Sequence, residues 1–383
     1  MLNSRGNLIR ILLVVPVFLL AALRPAFAAG NKPGAITTNG LIDLYYEYNF
    51  NHPPLGAGNA FRAFDVKNDS FSLSLAELNV HRNPTKKLPL GFTATLTWGK
   101  TADIVNATEP GGVNTYKPFQ QLYITYTTGG AHPWTIDFGK FVTMMGYEVI
   151  ESSSNDNYTR SFLFTYAIPF YHMGFRITHS FTPTLTGQFD LVNGWNNVED
   201  DNSQKSIGMG WTWTPNSDFT WILNWMGGGE STGAGFAGPA TGGNLTINLF
   251  DTSLIYNVTP GDKIGLNLDY ATANGTAPTG PSGSNAQLAG HWDGWALYGR
   301  HNLSNSTDLA LRLEQFVDKN GFRTGVVGGN FKEITATYEF DVNKNLINRI
   351  EFRHDWANQA VFPSGSGESK SQDTLLFGTV LLF

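Results

Sequence analysis

Apolar and polar residues alternate with period two along almost the whole chain. Between Leu41 and Phe50, one side carries Ile42, Leu44, Tyr46, Tyr48 and Phe50, and the other carries Asp43, Tyr45, Glu47 and Asn49. Successive strand side chains point to opposite faces, so this pattern predicts a strand with one charged face and one apolar or aromatic face. The pattern returns at Phe92–Trp98, Ile207–Trp213, Phe219–Trp225, Ile264–Tyr270, Leu309–Leu313, Ile334–Phe340 and Ile350–Trp356. A β-sandwich alternates too, but these runs are about ten residues long, the length of a membrane-crossing strand. Trp211, Trp213 and Trp221 flank the turn Pro215-Asn216-Ser217-Asp218, as interfacial aromatic girdles do. The expected fold is all-β: a single antiparallel transmembrane β-barrel over residues 40–383.

The two ends of the chain fix its destination. Arg5 and Arg10 precede an apolar run from Ile11 to Leu23, and Ala26-Phe27-Ala28 supplies a cleavage site, so residues 1–28 read as a secretory signal. Residues 29–39 read as a short periplasmic lead-in. The last stretch, Asp373 to Phe383, is one strand long and stops on an aromatic residue. Such an ending resembles the closing strand of bacterial outer-membrane barrels, which implies recognition of Phe383 by the barrel-assembly machinery. Without the three arginines of the signal, 22 basic and 31 acidic residues remain, which argues against a nucleic-acid partner. The chain has no cysteine, hence no disulfides, thiolate-held iron–sulfur cluster or c-type haem. Only 15% of residues are charged, 13% are aromatic, and there are 42 glycines. That balance suits a wall between lipid and water.

Connections alternate between short turns, such as Thr182-Pro183-Thr184 and Thr259-Pro260-Gly261-Asp262, and long Gly-rich polar stretches at 51–69, 100–117, 194–204, 227–244, 274–290, 319–329 and 357–372. This is the pattern of periplasmic turns and external loops. Seventeen segments qualify as strands, but a barrel with both ends in the periplasm needs an even number. The alternation fails once, between Phe141 and Tyr171. Taking Val142 to Phe170 as one connection leaves about sixteen strands, with fourteen or eighteen as the alternatives; a competing reading makes 158–167 a true strand and drops or adds another elsewhere. This third external loop contains the apolar stretch Phe162-Leu163-Phe164, so it is expected to fold into the lumen and narrow it. Residues 70–82 change phase between Leu75 and Leu78, and a bulge would reconcile the two halves.

Residues 139–205 carry a family resemblance. Gly139-Lys140-Phe141, Gly146-Tyr147-Glu148, Asn155 to Ser161, Pro169 and Asn193-Gly194-Trp195-Asn196-Asn197 resemble the OmpL-like β-barrel porin family. Phe71 to Leu78 and Arg312 to Phe316 are similar to further stretches of it. The resemblance implies an outer-membrane porin and does not supply a solute.

Charges on a strand must avoid lipid, which directs Asp43, Glu47, Arg176, Arg312, Glu314, Glu333, Glu339, Arg349, Glu351, Arg353 and Asp355 into the lumen. The third loop adds Glu148, Glu151, Asp156 and Arg160. An acidic loop facing the late arginines would set a transverse field at a constriction. Equally, Arg349, Glu351, Arg353 and Asp355 could pair along the wall and stiffen it. Arg160-Ser161 could anchor the loop to the wall. No cofactor and no metal are expected: the acidic loop Asn193–Asn202 lacks EF-hand spacing, and no H-E-x-x-H, G-x-S-x-G or Walker motif occurs. The expected partners are outer-membrane lipid and small hydrophilic solutes, with a homo-trimer open to a sixteen-stranded barrel. An outer-membrane enzyme, a plugged structural barrel and an exported soluble β-protein are the competing readings.

Overall fold

The structure, a computed structural model, describes residues 34–107, 117–200, 202–231, 244–278, 285–365 and 367–383. The proposed signal, residues 1–28, and residues 29–33 of the proposed lead-in lie outside the described residues. Sixteen strands form the wall. The first eight are β1 (Thr37–Asn49), β2 (Ser70–Arg82), β3 (Leu90–Trp98), β4 (Phe119–Thr127), β5 (Trp134–Val142), β6 (Tyr171–Thr182), β7 (Leu185–Val192) and β8 (Ser206–Trp213). The next seven are β9 (Phe219–Ser231), β10 (Asn244–Asn257), β11 (Lys263–Pro278), β12 (Asn285–Ser304), β13 (Thr307–Asp318), β14 (Gly329–Asn343) and β15 (Leu346–Ala357). A small hairpin, β16 (Phe362–Ser364) and β17 (Gly367–Ser369), precedes the last wall strand, β18 (Ser371–Leu382). A short helix, α1 (Lys100–Val105), follows β3.

Each wall strand pairs antiparallel with its neighbours, and β18 pairs with β1, closing a barrel of sixteen strands. Closure leaves no free sheet edge, so the ladder bonds are satisfied within the wall, as a membrane requires. Alternation sets which side faces out. On β1, Leu44 is 42% exposed while the inward Asp43 and Glu47 are 1% and 0% exposed. The outward band continues through Phe175, Trp211, Trp221, Tyr270, Leu311 and Phe352, all exposed.

Three details differ from the sequence expectation or refine it. β1 starts at Thr37, paired with His81, before the expected boundary at residue 40. Strand also runs into stretches expected as loop, because β9 extends through Gly227–Gly229 and β11 and β12 through Asn274 and Leu288. The neighbouring ladders hold these backbones: Gly228 pairs with Ser206 on one side and Ile247 on the other. Tertiary pairing thus overrides the low strand propensity of glycine. On β2, Leu75 pairs with Asp43 and Leu73 with Leu44, so Ser74 is the extra residue of a bulge. The bulge turns Phe71 and Leu73 outward and buries Leu75. No described helix is long and apolar enough to cross a membrane; the strands do the crossing.

The apolar core lies within the wall. Phe64 from the first long connection, Val105 of α1, Met144, Phe162, Leu163 and Ile168 from the third, and Trp195 from the fourth pack together. Inward-facing Leu249, Trp292 and Phe316 of the wall complete this cluster.

Candidate functional site

The third long connection, residues 143–170 (L3), is bonded to the inward faces of widely separated strands. Carboxylates of the wall accept its backbone N–H groups two at a time. Glu351 accepts from Tyr158 at 2.6 Å and Thr159 at 3.0 Å. Glu314 accepts from Phe162 at 2.7 Å and Leu163 at 2.6 Å. Guanidinium groups on the same strands donate to its carbonyls. Arg349 reaches Ser152 O at 2.5 Å and Asn155 O at 2.8 Å, Arg312 reaches Thr159 O at 2.6 Å, and Arg353 reaches Arg160 O at 2.6 Å. An irregular backbone placed in a barrel exposes both donors and acceptors, and alternating Glu and Arg on the wall satisfy both.

Elsewhere the loop touches other strands. Ser152 Oγ and Tyr158 OH donate to Asp43 on β1, each at 2.6 Å. Gln120 on β4 donates to Glu151 at 2.5 Å, and Asn224 on β9 donates to Met144 O at 3.0 Å. Lys263 on β11 pairs with Asp156 at 2.8 Å, and Trp292 on β12 donates to Ala167 O at 3.1 Å. Within the loop, a turn of 3-10 helix at Ser152–Ser154 and a π-helical turn at Leu163–Ala167 keep the chain compact.

The residues singled out from sequence are therefore placed as follows. Arg312 pairs with Glu148 and Glu333, both at 2.7 Å, so one acidic residue of the loop does meet the arginine row. Glu151 and Asp156 point to other sectors. Arg349 pairs with Glu339 at 2.7 Å and Arg353 with Asp355 at 2.7 Å. Arg312, Arg349 and Arg353 are at most 1% exposed. Arg176 stands apart on β6, paired with Asp137 at 2.8 Å and lying over the rings of Tyr123 and Phe141. Arg160 does not reach the wall with its side chain: it donates to Val149 O, Ile150 O and Tyr158 O of its own loop and so staples it. Ser161 likewise bonds within the loop, through Glu148 and Phe164.

Sequence reading missed two groups. Arg62, in the connection 50–69, pairs with Asp355 at 2.8 Å and Asp65 at 2.6 Å and donates to Thr374. Its spacing to Asp65 was the only local sign of a partner. The second group, Lys263, Arg300, Asp308 and Asp341, lines with the expected Asp156 a recess of about 400 Å³ beside the loop apex. Ser153 to Asp156 face Lys263, Arg300, Asp308 and Asp341 there, at the rim carrying the short turns. Arg300 holds Asp308 at 2.6 Å and Glu339 at 2.8 Å. Burial by itself would raise the Asp156 carboxyl, but Lys263 and Arg300 outweigh it and hold that group below the usual aspartate range.

Among the described residues no cluster of side chains has the composition of a metal site. The wall closes, its inward faces are charged, and long connections pack inside it. Outer-membrane expressed OmpT of Vibrio cholerae matches with a TM-score of 0.56 and 10% identity, over 92% of this chain and 99% of that one. The anion-selective porin from Comamonas acidovorans matches with a TM-score of 0.56 and 11% identity, over 91% and 100%. The outer membrane channel DcaP of Acinetobacter baumannii gives 0.57 and 10%, over 92% and 98%. At such identities these likenesses establish the fold. No curated protein sequence matches the chain. A family match covers residues 35–383, the whole barrel. The chain belongs to the family described as "Putative beta-barrel porin-2, OmpL-like", and it is a porin of the bacterial outer membrane.

Proposed function

We propose that this porin passes small hydrophilic solutes around L3, with selection by size at the loop and by charge at the recess beside its apex. One observation carries the reading: L3 is bonded to inward residues of β1, β4, β9, β11, β12, β13 and β15, so it crosses the barrel interior rather than lining one side. Solute passes through what the loop leaves open. In this reading Arg312, Glu314, Arg349, Glu351, Arg353 and Asp355 hold the loop in place and do not form a charge ladder in water. Glu148 and Arg160 act with them from the loop side, and Arg176 lines the opposite wall. In the recess, Asp156, Asp262, Asp308 and Asp341 outnumber Lys263 and Arg300, which favours cations there. No chemical step is assigned to the protein.

Residues 1–28 serve as the export signal in this reading, and Phe383 as the mark for the assembly machinery. One of the similar folds is the trimer form of OmpT, and we extend the trimer to this chain as a proposal. The test is single-channel recording of the refolded residues 29–383 in a planar bilayer, with chemical cross-linking for subunit number. Stable conductance steps are expected. A folded, inserted barrel that stays silent would instead support a plugged structural role.

A further inference from the structure

The inward faces of four wall strands lack a side chain where L3 presses hardest. A Cβ placed at Gly378 on β18 would lie 2.5 Å from the Tyr158 ring. At Gly208 and Gly210 on β8 it would lie 2.7 Å from Met144 Cε and 2.9 Å from Met144 Sδ. At Gly265 on β11 it would meet the Tyr147 ring at 2.6 Å, and at Gly294 on β12 the Leu163 side chain at 2.6 Å. Carbon atoms in contact sit about 3.5–4.0 Å apart, so each knob occupies space that any other residue would claim. The strands themselves do not require glycine at positions 378, 208 and 265, where the most closely crowding atoms belong to loop side chains; at Gly210 the wall residue Asn224 lies nearer than Met144, at 2.7 Å. Gly294 differs, because the backbone oxygen of Gln315 also lies 2.6 Å from its Cβ position.

The knobs are held on their other sides as well. Tyr158 packs near Tyr45, with ring centroids 6.0 Å apart, and Tyr147 stacks on Tyr298 at 4.1 Å. The sockets on β18 and β8 belong to distant parts of the barrel order, with β11 and β12 between them along one arc. Knobs seated at several points around a ring fix both the height and the lateral position of the segment that carries them.

We propose that Gly208, Gly265 and Gly378 are positioning residues for permeation: sockets that receive Met144, Tyr147 and Tyr158 and so set the path of L3, and with it the width of the pore. This rests on the reading of L3 as the constriction. A larger residue in a socket expels its knob and moves the loop, while leaving the outward face of the strand untouched. Cutting back the knob restores the fit.

The test compares conductance and the size cut-off for polyethylene glycol exclusion in Gly208→Val, in Gly208→Val with Met144→Ala, and in Gly378→Val with and without Tyr158→Ala, with Tyr158→Ala alone as reference. Folding is checked by circular dichroism and by resistance of the folded band to detergent. Each single variant should change conductance by about two-fold and shift the cut-off, because overpacking displaces one partner. The Gly208→Val/Met144→Ala double should return toward the parent, and the Gly378→Val/Tyr158→Ala double toward the Tyr158→Ala single, which lacks the Asp43 bond, the coupling expected of groups in contact. Folded single variants with unchanged conductance and cut-off would overturn the proposal. So would doubles as altered as their glycine singles, since the wall and not the knob would then be responsible. If Gly208→Val does not fold, Gly208→Ala and the β18 pair decide the matter. A silent parent protein would count against the constriction reading itself, which separates the two failures.

Discussion

At the residue scale, the inward charges are anchored by partners on both the wall and the loop. A buried ion that loses its partner is costly because desolvation is then uncompensated. Arg349→Ala removes the ion pair with Glu339 and leaves Ser152 O and Asn155 O without their guanidinium donor. We expect a loss of about 3 kcal/mol in the urea unfolding of vesicle-inserted protein, together with a larger and noisier conductance. An unchanged unfolding midpoint would show that the anchor is dispensable. The Asp156–Lys263 pair offers a pH readout. Its carboxyl is held below the usual range, so its stabilisation is complete above about pH 4 and is lost as pH falls through the lower folded value. Acidification below about pH 4 should therefore loosen the loop apex and raise conductance, and Asp156→Asn should remove that step. A step that persists in Asp156→Asn would assign it to another group.

At the element scale, period-two alternation located the wall strands because one side meets lipid and the other does not. The same rule predicts the effect of breaking it. Leu311, at the middle of β13, is exposed on the outer side. Leu311→Arg should cost about 2–4 kcal/mol in membrane-inserted stability, measured by denaturant titration, whereas a change on the inner face would act through L3 instead. The third loop, expected from Val142 to Phe170, was legible as a break in alternation; β5 runs one residue further, through Val142, and β6 starts at Tyr171 as expected. Its contacts were not legible. Glycines on the inner side of β8 and β11 carry no local sign that Met144 and Tyr147 pack against them. Arg160 meets the wall through its carbonyl, which accepts from Arg353, while its side chain turns back on its own loop, a distinction that spacing cannot show. The Gly-rich end of β9 reads as loop because propensity weighs a residue alone, whereas ladders on both sides hold the strand.

At the scale of the whole molecule, closure joins the two ends of the barrel. Phe383 N donates to Gly40 O at 3.0 Å, Gly40 N donates to Phe383 O at 2.8 Å, and the Phe383 ring lies over Gly40. Deleting Phe383 removes both seam bonds and should lower the amount of detergent-resistant folded protein in outer membranes; unchanged levels would show that the seam closes without it. By itself the sequence determined the strand class, the even count near sixteen and the face each strand turns outward. These depend on local periodicity and on the cost of placing charge or unpaired backbone in lipid, both of which are written residue by residue. Only the tertiary structure decided which inward charges meet, that Arg62 joins them, and that L3 is seated by knobs in glycine sockets. Those contacts join residues as far apart as Ser152 and Arg349, and their geometry exists only once the wall has closed around the loop.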